Sequence, residues 1–254
     1  MKNHLSILAS AIVCLGLLPA YSQFGPPRAP GLSGSMARLF GDNPNFSATL
    51  EIQNKGGSPD QIMTMPAKIF FSDGKSRLEM DMTQMKSAQM RPEATAQIKS
   101  MGMDKMVMIS RPDQKKSYMI YPGMQSYAEI PLQDIEASAT TNDFKMETAE
   151  LGKETVDGHP CVKNQVTIIY NNGDKHVVIV WNATDLKKFP VKMEQTEQGN
   201  TATMSYKDIN LSKPNASLFE PPSDFTKYDS IQTMMRTVMM KRMGGGMGFP
   251  PPNR

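Results

Sequence analysis

The chain has 254 residues, 28 of them basic and 25 acidic, for a net charge of +3. With so little charge and no basic stripe interleaved with aromatics, nothing in the sequence points to a nucleic-acid partner. The composition is unusual in one respect, 23 Met against a single Trp.

Residues 1–22 read as a secretory signal peptide, with Lys2 ahead of an apolar run from Leu5 to Leu18 and Ala20-Tyr21-Ser22 as a small-x-small cleavage site. That run is too short to span a bilayer. Cys14 lies inside it behind Val13, which does not fit a lipidation site. Cleavage near Ser22 removes Lys2 and no acid, leaving a net charge of +2 and Cys161 as the one thiol, so no internal disulfide is expected. No later run is long and apolar enough for a membrane helix. The expectation is an exported protein, periplasmic or secreted, and monomeric.

Residues 23–45, beginning "QFGPPRAPGLSGS", have the Pro, Gly and Ser content of a flexible leader. Residues 46–228 carry mostly β patterns. Phe46–Ile52, Met63–Phe71 and Lys75–Met82 read as strands, the last two joined at Asp73-Gly74. In "KSRLEMDM", Leu78, Met80 and Met82 alternate with Arg77, Glu79 and Asp81. Pro92–Met101 reads as a helix, with Pro in its first turn and Gly102 at its end. Met106–Ser110 and Ser117–Tyr121 form a hairpin around "RPDQKK", and Met124–Ile130 follows. Both faces of Met106–Ile109 are apolar, which predicts cover on both sides. A polar stretch around Leu132–Ala139 is compatible with a helix. Lys145–Leu151, Val162–Tyr170, Lys175–Trp181, Val191–Glu197 and Thr201–Ile209 complete the strands, with "NNGD" and "QGN" as hairpin turns. Residues 229–243 form an amphipathic Met-rich helix, and 244–254 a disordered Gly/Pro tail.

About 9–11 consecutive strands with short turns predict a mainly β, α+β fold, an antiparallel curved sheet wrapped over helices. A closed barrel is the competing geometry.

Three segments carry a resemblance: "ETVDGHPC" (Glu154–Cys161), "VIVWNATDLKKFPVKMEQ" (Val178–Gln195) and "ASLFEPPSDFTKY" (Ala216–Tyr228). With the Arg-Pro-Asp turn and the "YMIYP" that follows it, they resemble an exported bacterial family of unknown function in the LolA-like superfamily (LolA, LolB, LppX, RseB). The resemblance covers about residues 45–228. It implies a half-barrel around an apolar cavity, which superfamily members use for acyl chains of lipoproteins or lipids, or for sensing envelope components. It transfers no individual ligand residue.

Strand methionines on one face suit such a cavity, because Met has three rotatable bonds and a polarisable sulfur and conforms to a ligand without fixed shape. The expected lining is Leu78, Met80, Met82, Met106, Met108, Val191, Met193 and Met204. In the C-terminal helix, Ile231, Met234, Met235, Val238 and Met239 make an i, i+3, i+4, i+7, i+8 stripe that either docks on the sheet or meets a membrane surface or an envelope partner. A copper(I) site is the sharper alternative for its methionines, Met234, Met235, Met239, Met240 and Met243, since thioethers are soft ligands. No catalytic pattern emerges: Gly-x-Ser-x-Gly and His-Glu-x-x-His are both missing, and Cys161 beside His159 fits a packed hairpin thiol better than a nucleophile. The sequence therefore reads as a non-enzymatic carrier or envelope sensor for an acyl chain or lipid, with no cofactor. A ligand-free envelope interaction module remains the third reading.

Overall fold

Alternating apolar residues and tight turns build one sheet of thirteen strands. The structure, a computed structural model, describes residues 34–56, 61–88, 90–131 and 144–242, all within the unit Leu32–Arg254. The expected signal peptide, the stretch Leu132–Ala139, Met243 and the 244–254 tail lie outside the described residues.

The strands are β1 (Asn45–Lys55), β2 (Ile62–Ser72), β3 (Lys75–Asp81), β4 (Lys86–Ser87), β5 (Lys105–Arg111), β6 (Lys116–Tyr121) and β7 (Ser126–Pro131). After them come β8 (Phe144–Val156), β9 (His159–Tyr170), β10 (Lys175–Ala183), β11 (Phe189–Glu197), β12 (Asn200–Asn210) and β13 (Thr226–Tyr228). The helices are α1 (Gly34–Arg38), α2 (Pro92–Ser100) and α3 (Ile231–Arg242). In space the order is β13-β7-β6-β5-β3-β2-β1-β12-β11-β10-β9-β8, with β4 beside β2. β7 and β13 pair in parallel and the other pairs are antiparallel. Two meanders thus flank β1, and the sheet is open, with β13 and β8 at its edges. This is the mainly β, open half-barrel class rather than a closed barrel. Two short strands, β4 and β13, take the number above the expected range.

Register sorts the side chains. Leu50, Ala67, Met80 and Met106 stand opposite one another across β1, β2, β3 and β5. The next row runs Ile69, Leu78, Met108, Met119, Ala128. On the other side of β1 the row is Ile52, Met204, Met193, Val180. All lie on one face, the inner one.

One expectation about the leader needs correcting. Residues 23–45 are not flexible linker throughout, because α1 and the turn after it fill the inner face. Met36, Leu39 and Phe40 are buried, and the Phe40 ring lies 4.5 Å from Phe46, 5.9 Å from Phe71, 5.4 Å from Phe189 and 5.7 Å from Tyr206. The core around this plug draws on eight adjacent strands, β3 to β8 in spatial order. A flat span of eight strands measures about 34 Å, whereas a five-residue helix is about 7.5 Å long. The sheet curls to close that gap.

The outer face is covered at β5 and β6 by the chain between β12 and β13. Phe219 is buried there with Val107, Ile109, Tyr118 and Ile120. Arg77 donates to the Leu218 carbonyl at 3.0 Å, and Arg111 donates to the Phe219 carbonyl at 3.3 Å and pairs with Glu220 and Asp113. Cover on both sides of β5, expected from its sequence, is what the structure has. Met82 differs from expectation: it sits in a 3-10 turn after β3, because the Asp81 carboxylate accepts from the Thr83 amide at 3.0 Å and caps that turn.

Candidate functional site

The inner face carries two apolar clusters with a seam between them. The first is the α1 core. The second lies under α3, where Met234 and Val238 pack on Met119, Tyr121 and Ala128. Ala128 is small and fully buried, which lets the helix approach β7 closely.

The eight expected lining residues divide between the core and the seam. Met80, Val191, Met193 and Met204 are buried in the α1 core. Leu78, Met82, Met106 and Met108 are only partly buried at its margin, and Met106 and Met108 also touch the α3 cluster. These four form the seam. Its methionines have no rigid shape of their own.

The C-terminal stripe points inward. Met234 is fully buried and Val238 is 8% exposed, so these two belong to a docked helix rather than to a free surface, while Ile231, Met235 and Met239 are partly buried. Met240, on the far side, is 51% exposed. Sequence reasoning found this stripe but had no signal for its partner, since Met119, Tyr121 and Ala128 come from a distant hairpin.

A cleft of about 460 Å³ reaches the seam, lined by Met80 and Met106 together with Thr49, Lys68, Glu79 and Val107. Another of about 510 Å³ lies by β4, lined by Ile62, Met85, Lys86 and Met90. Both have mixed polar and apolar linings.

Polar chemistry is sparse and local. The Tyr121 hydroxyl donates to the Met119 sulfur at 3.6 Å inside the α3 cluster, and burial pushes its pKa up. The Cys161 thiol is buried and donates to the His159 carbonyl at 3.3 Å, and burial raises its pKa too. The His159 ring turns instead to Asp185 at 2.8 Å, so Cys161 and His159 do not make a nucleophile–base pair. His176 meets Glu197 at 2.8 Å, well apart in the sheet. Hydrogen bonds from these rings hold both carboxyls below their ordinary pKa. Among the described residues no group of three His, Cys, Asp or Glu converges to hold a metal ion. None of their helices is long and apolar enough to cross a membrane.

The motifs behind the family resemblance prove to be joints. Asp157 and Gly158 both take positive φ, 48° and 85°, and turn β8 into β9. Trp181 donates its indole N–H to Glu154 and lies between Lys163 and Lys192, 4.8 and 4.3 Å from its ring. The Arg-Pro-Asp turn and "LFEPP" meet through Arg111 and Glu220.

Residues 58–189 match the family described as "Domain of unknown function (DUF4412)". No curated protein matches. Among solved structures, the chain is similar to the Mycobacterium tuberculosis lipoprotein LppX (10% identity, TM-score 0.40), covering 71% of this chain and 96% of that one. It is also similar to LprF from Mycobacterium bovis (13%, TM-score 0.37, 68% and 90%). A LolA superfamily protein from Nitrosomonas europaea matches at 12% identity and TM-score 0.35, over 72% and 93%.

Proposed function

The chain belongs to the DUF4412 family, whose function is unknown, and from that premise we propose that it is a non-enzymatic binding protein. It holds an acyl chain or similar lipid against the inner face of the sheet, as a carrier or sensor in the periplasm. The observation that carries this reading is the seam of Leu78, Met82, Met106 and Met108, apolar but incompletely buried between two finished cores.

Magnitudes make the exchange feasible. Burying a Met or Val side chain is worth about 1.5–3 kcal/mol, so Met234 and Val238 hold α3 down by about 3–6 kcal/mol. Ten methylenes at about 0.8 kcal/mol each contribute about 8 kcal/mol before ordering costs. An acyl chain can therefore displace the helix and take its place over Met108 and Met119. The α1 core, closed by interlocked aromatic rings, offers no such exchange.

The test is retention of a fluorescent fatty acid. Leu78→Asn with Met106→Gln and Met108→Gln should lower affinity at least tenfold while circular dichroism keeps its β signal. Equal affinity in this triple variant would remove the seam as the site.

A further inference from the structure

The two faces of β5 and β6 differ in one element, sulfur. On the outer face the cluster is Val107, Ile109, Tyr118 and Ile120 under Phe219, flanked by Phe70, Tyr127, Leu218 and Phe225, without one methionine. On the inner face, beneath α3, seven of the thirteen side chains in the cluster are methionines. Strand positions ordinarily favour β-branched and aromatic residues, as the outer face does, so propensity does not account for the difference.

These methionines come from separate parts of the chain. Met108 and Met119 are directly opposed on β5 and β6, a pairing that sets their Cβ atoms about 4.5–5.5 Å apart. Ala128 is the next position in that row, and Met234 reaches the space over it from α3. Met103 and Met124 follow two turns pressed together at Gly102 and Gly123, where a Cβ on Gly123 would lie 2.7 Å from the Gly102 carbonyl oxygen. Each sulfur lies beyond two rotatable bonds, so rotamer changes can move it within the cluster.

We propose that the methionine cluster beneath α3 is a soft-metal site that binds copper(I) through the Met108, Met119 and Met234 sulfurs, with Met103 and Met124 at its margin. Thioethers are neutral, soft donors, and among the described residues no group of three His, Cys, Asp or Glu converges to hold a harder ion. Such a donor set selects a polarisable monovalent ion and leaves the charge of zinc(II) or copper(II) uncompensated. The Tyr121 hydroxyl bonded to Met119 is the polar group already inside it. The site shares Met234 with the set that sequence spacing picks out, Met234, Met235, Met239, Met240 and Met243, and takes Met108 and Met119 from β5 and β6.

The test uses the full exported chain, with silver(I) as a redox-inert probe and copper(I) kept reduced by ascorbate in competition with a chromophoric chelator. Wild type should bind one ion. Met108→Leu, Met119→Leu and Met234→Leu together keep the apolar volume and remove the sulfurs, and should weaken binding at least thirtyfold with the melting temperature nearly unchanged. Leu78→Asn, which alters the seam and removes no sulfur, should lower fatty-acid retention while silver(I) binds as in wild type, which separates this site from the acyl-binding reading. Met239→Leu with Met240→Leu and Met243→Leu should bind like wild type, as should Cys161→Ala. Silver(I) ignored by wild type, binding unaffected by the first variant, or binding lost in either control would overturn the proposal.

Discussion

Arg111 is the residue on which the outer face turns. Its side chain is 9% exposed, and its guanidinium pairs with Asp113 and Glu220 while donating to the Phe219 carbonyl. One side chain therefore ties the end of β5 to the strap that seats Phe219. Arg111→Met keeps the apolar stem and loses these bonds. We expect a loss of about 1.5–3 kcal/mol in urea unfolding, the range for hydrogen bonds to a charged group. An unchanged midpoint would show the strap held by Phe219 alone. The pH dependence has a definite sign. Hydrogen bonding from Arg111 holds the Asp113 carboxyl below its ordinary 3.8, so its contribution is present above that value and lost as pH falls through the lower folded value. Arg111→Met should flatten that acid loss, modestly, because Asp113 is half exposed. "RPD" and "LFEPP" are conspicuous in the sequence for this joint, whereas their meeting was not legible: 109 positions separate Arg111 from Glu220.

At the scale of elements, the edge of the sheet depends on one carboxylate. Glu129 on β7 accepts from Lys116 of β6 at 2.8 Å and from Lys227 of β13 at 2.7 Å. β13 is three residues long, and its neighbour α3 rests mainly on β7. Hydrogen bonds from these two lysines lower the Glu129 pKa below its ordinary 4.5, so the clamp is complete at neutral pH and is lost as pH falls through the folded value. Glu129→Gln should speed amide exchange in Thr226–Tyr228 and α3 at neutral pH, with β1 and β2 unaffected. Wild type should show the same local loosening only in acid. Exchange that rises evenly across the sheet in the variant would contradict a local clamp.

Legibility follows the same scale. Hairpin turns declare themselves because Gly follows a residue that tolerates positive φ: Asp73-Gly74, Asp157-Gly158 and Gln198-Gly199 have φ pairs of 50° and 82°, 48° and 85°, 50° and 80°. Strands between them follow from alternation. α1 was hidden because five residues are too few for a helical period, and Pro and Gly precede it. β13 was hidden because it pairs in parallel with a strand 100 positions earlier. The seam was half legible. Alternation put Leu78 and Met108 on the inner face, but only the positions of α1 and α3 divide the lining into filled core and open margin.

Among the described residues, the inner face of one curled sheet carries two unequal covers. The α1 cover is locked by the rings of Phe40, Phe46, Phe71, Phe189 and Tyr206. The α3 cover rests chiefly on two side chains over methionines. A protein built this way can open at one end while its fold persists, and the acyl-binding reading requires that. Native mass spectrometry of protein expressed from the full sequence and purified without detergent tests it most directly. A lipid-binding protein will show a heterogeneous added mass in the lipid range that collapses on removing lipid and returns with a long-chain fatty acid. A clean apo mass that stays apo when that fatty acid is offered would contradict it.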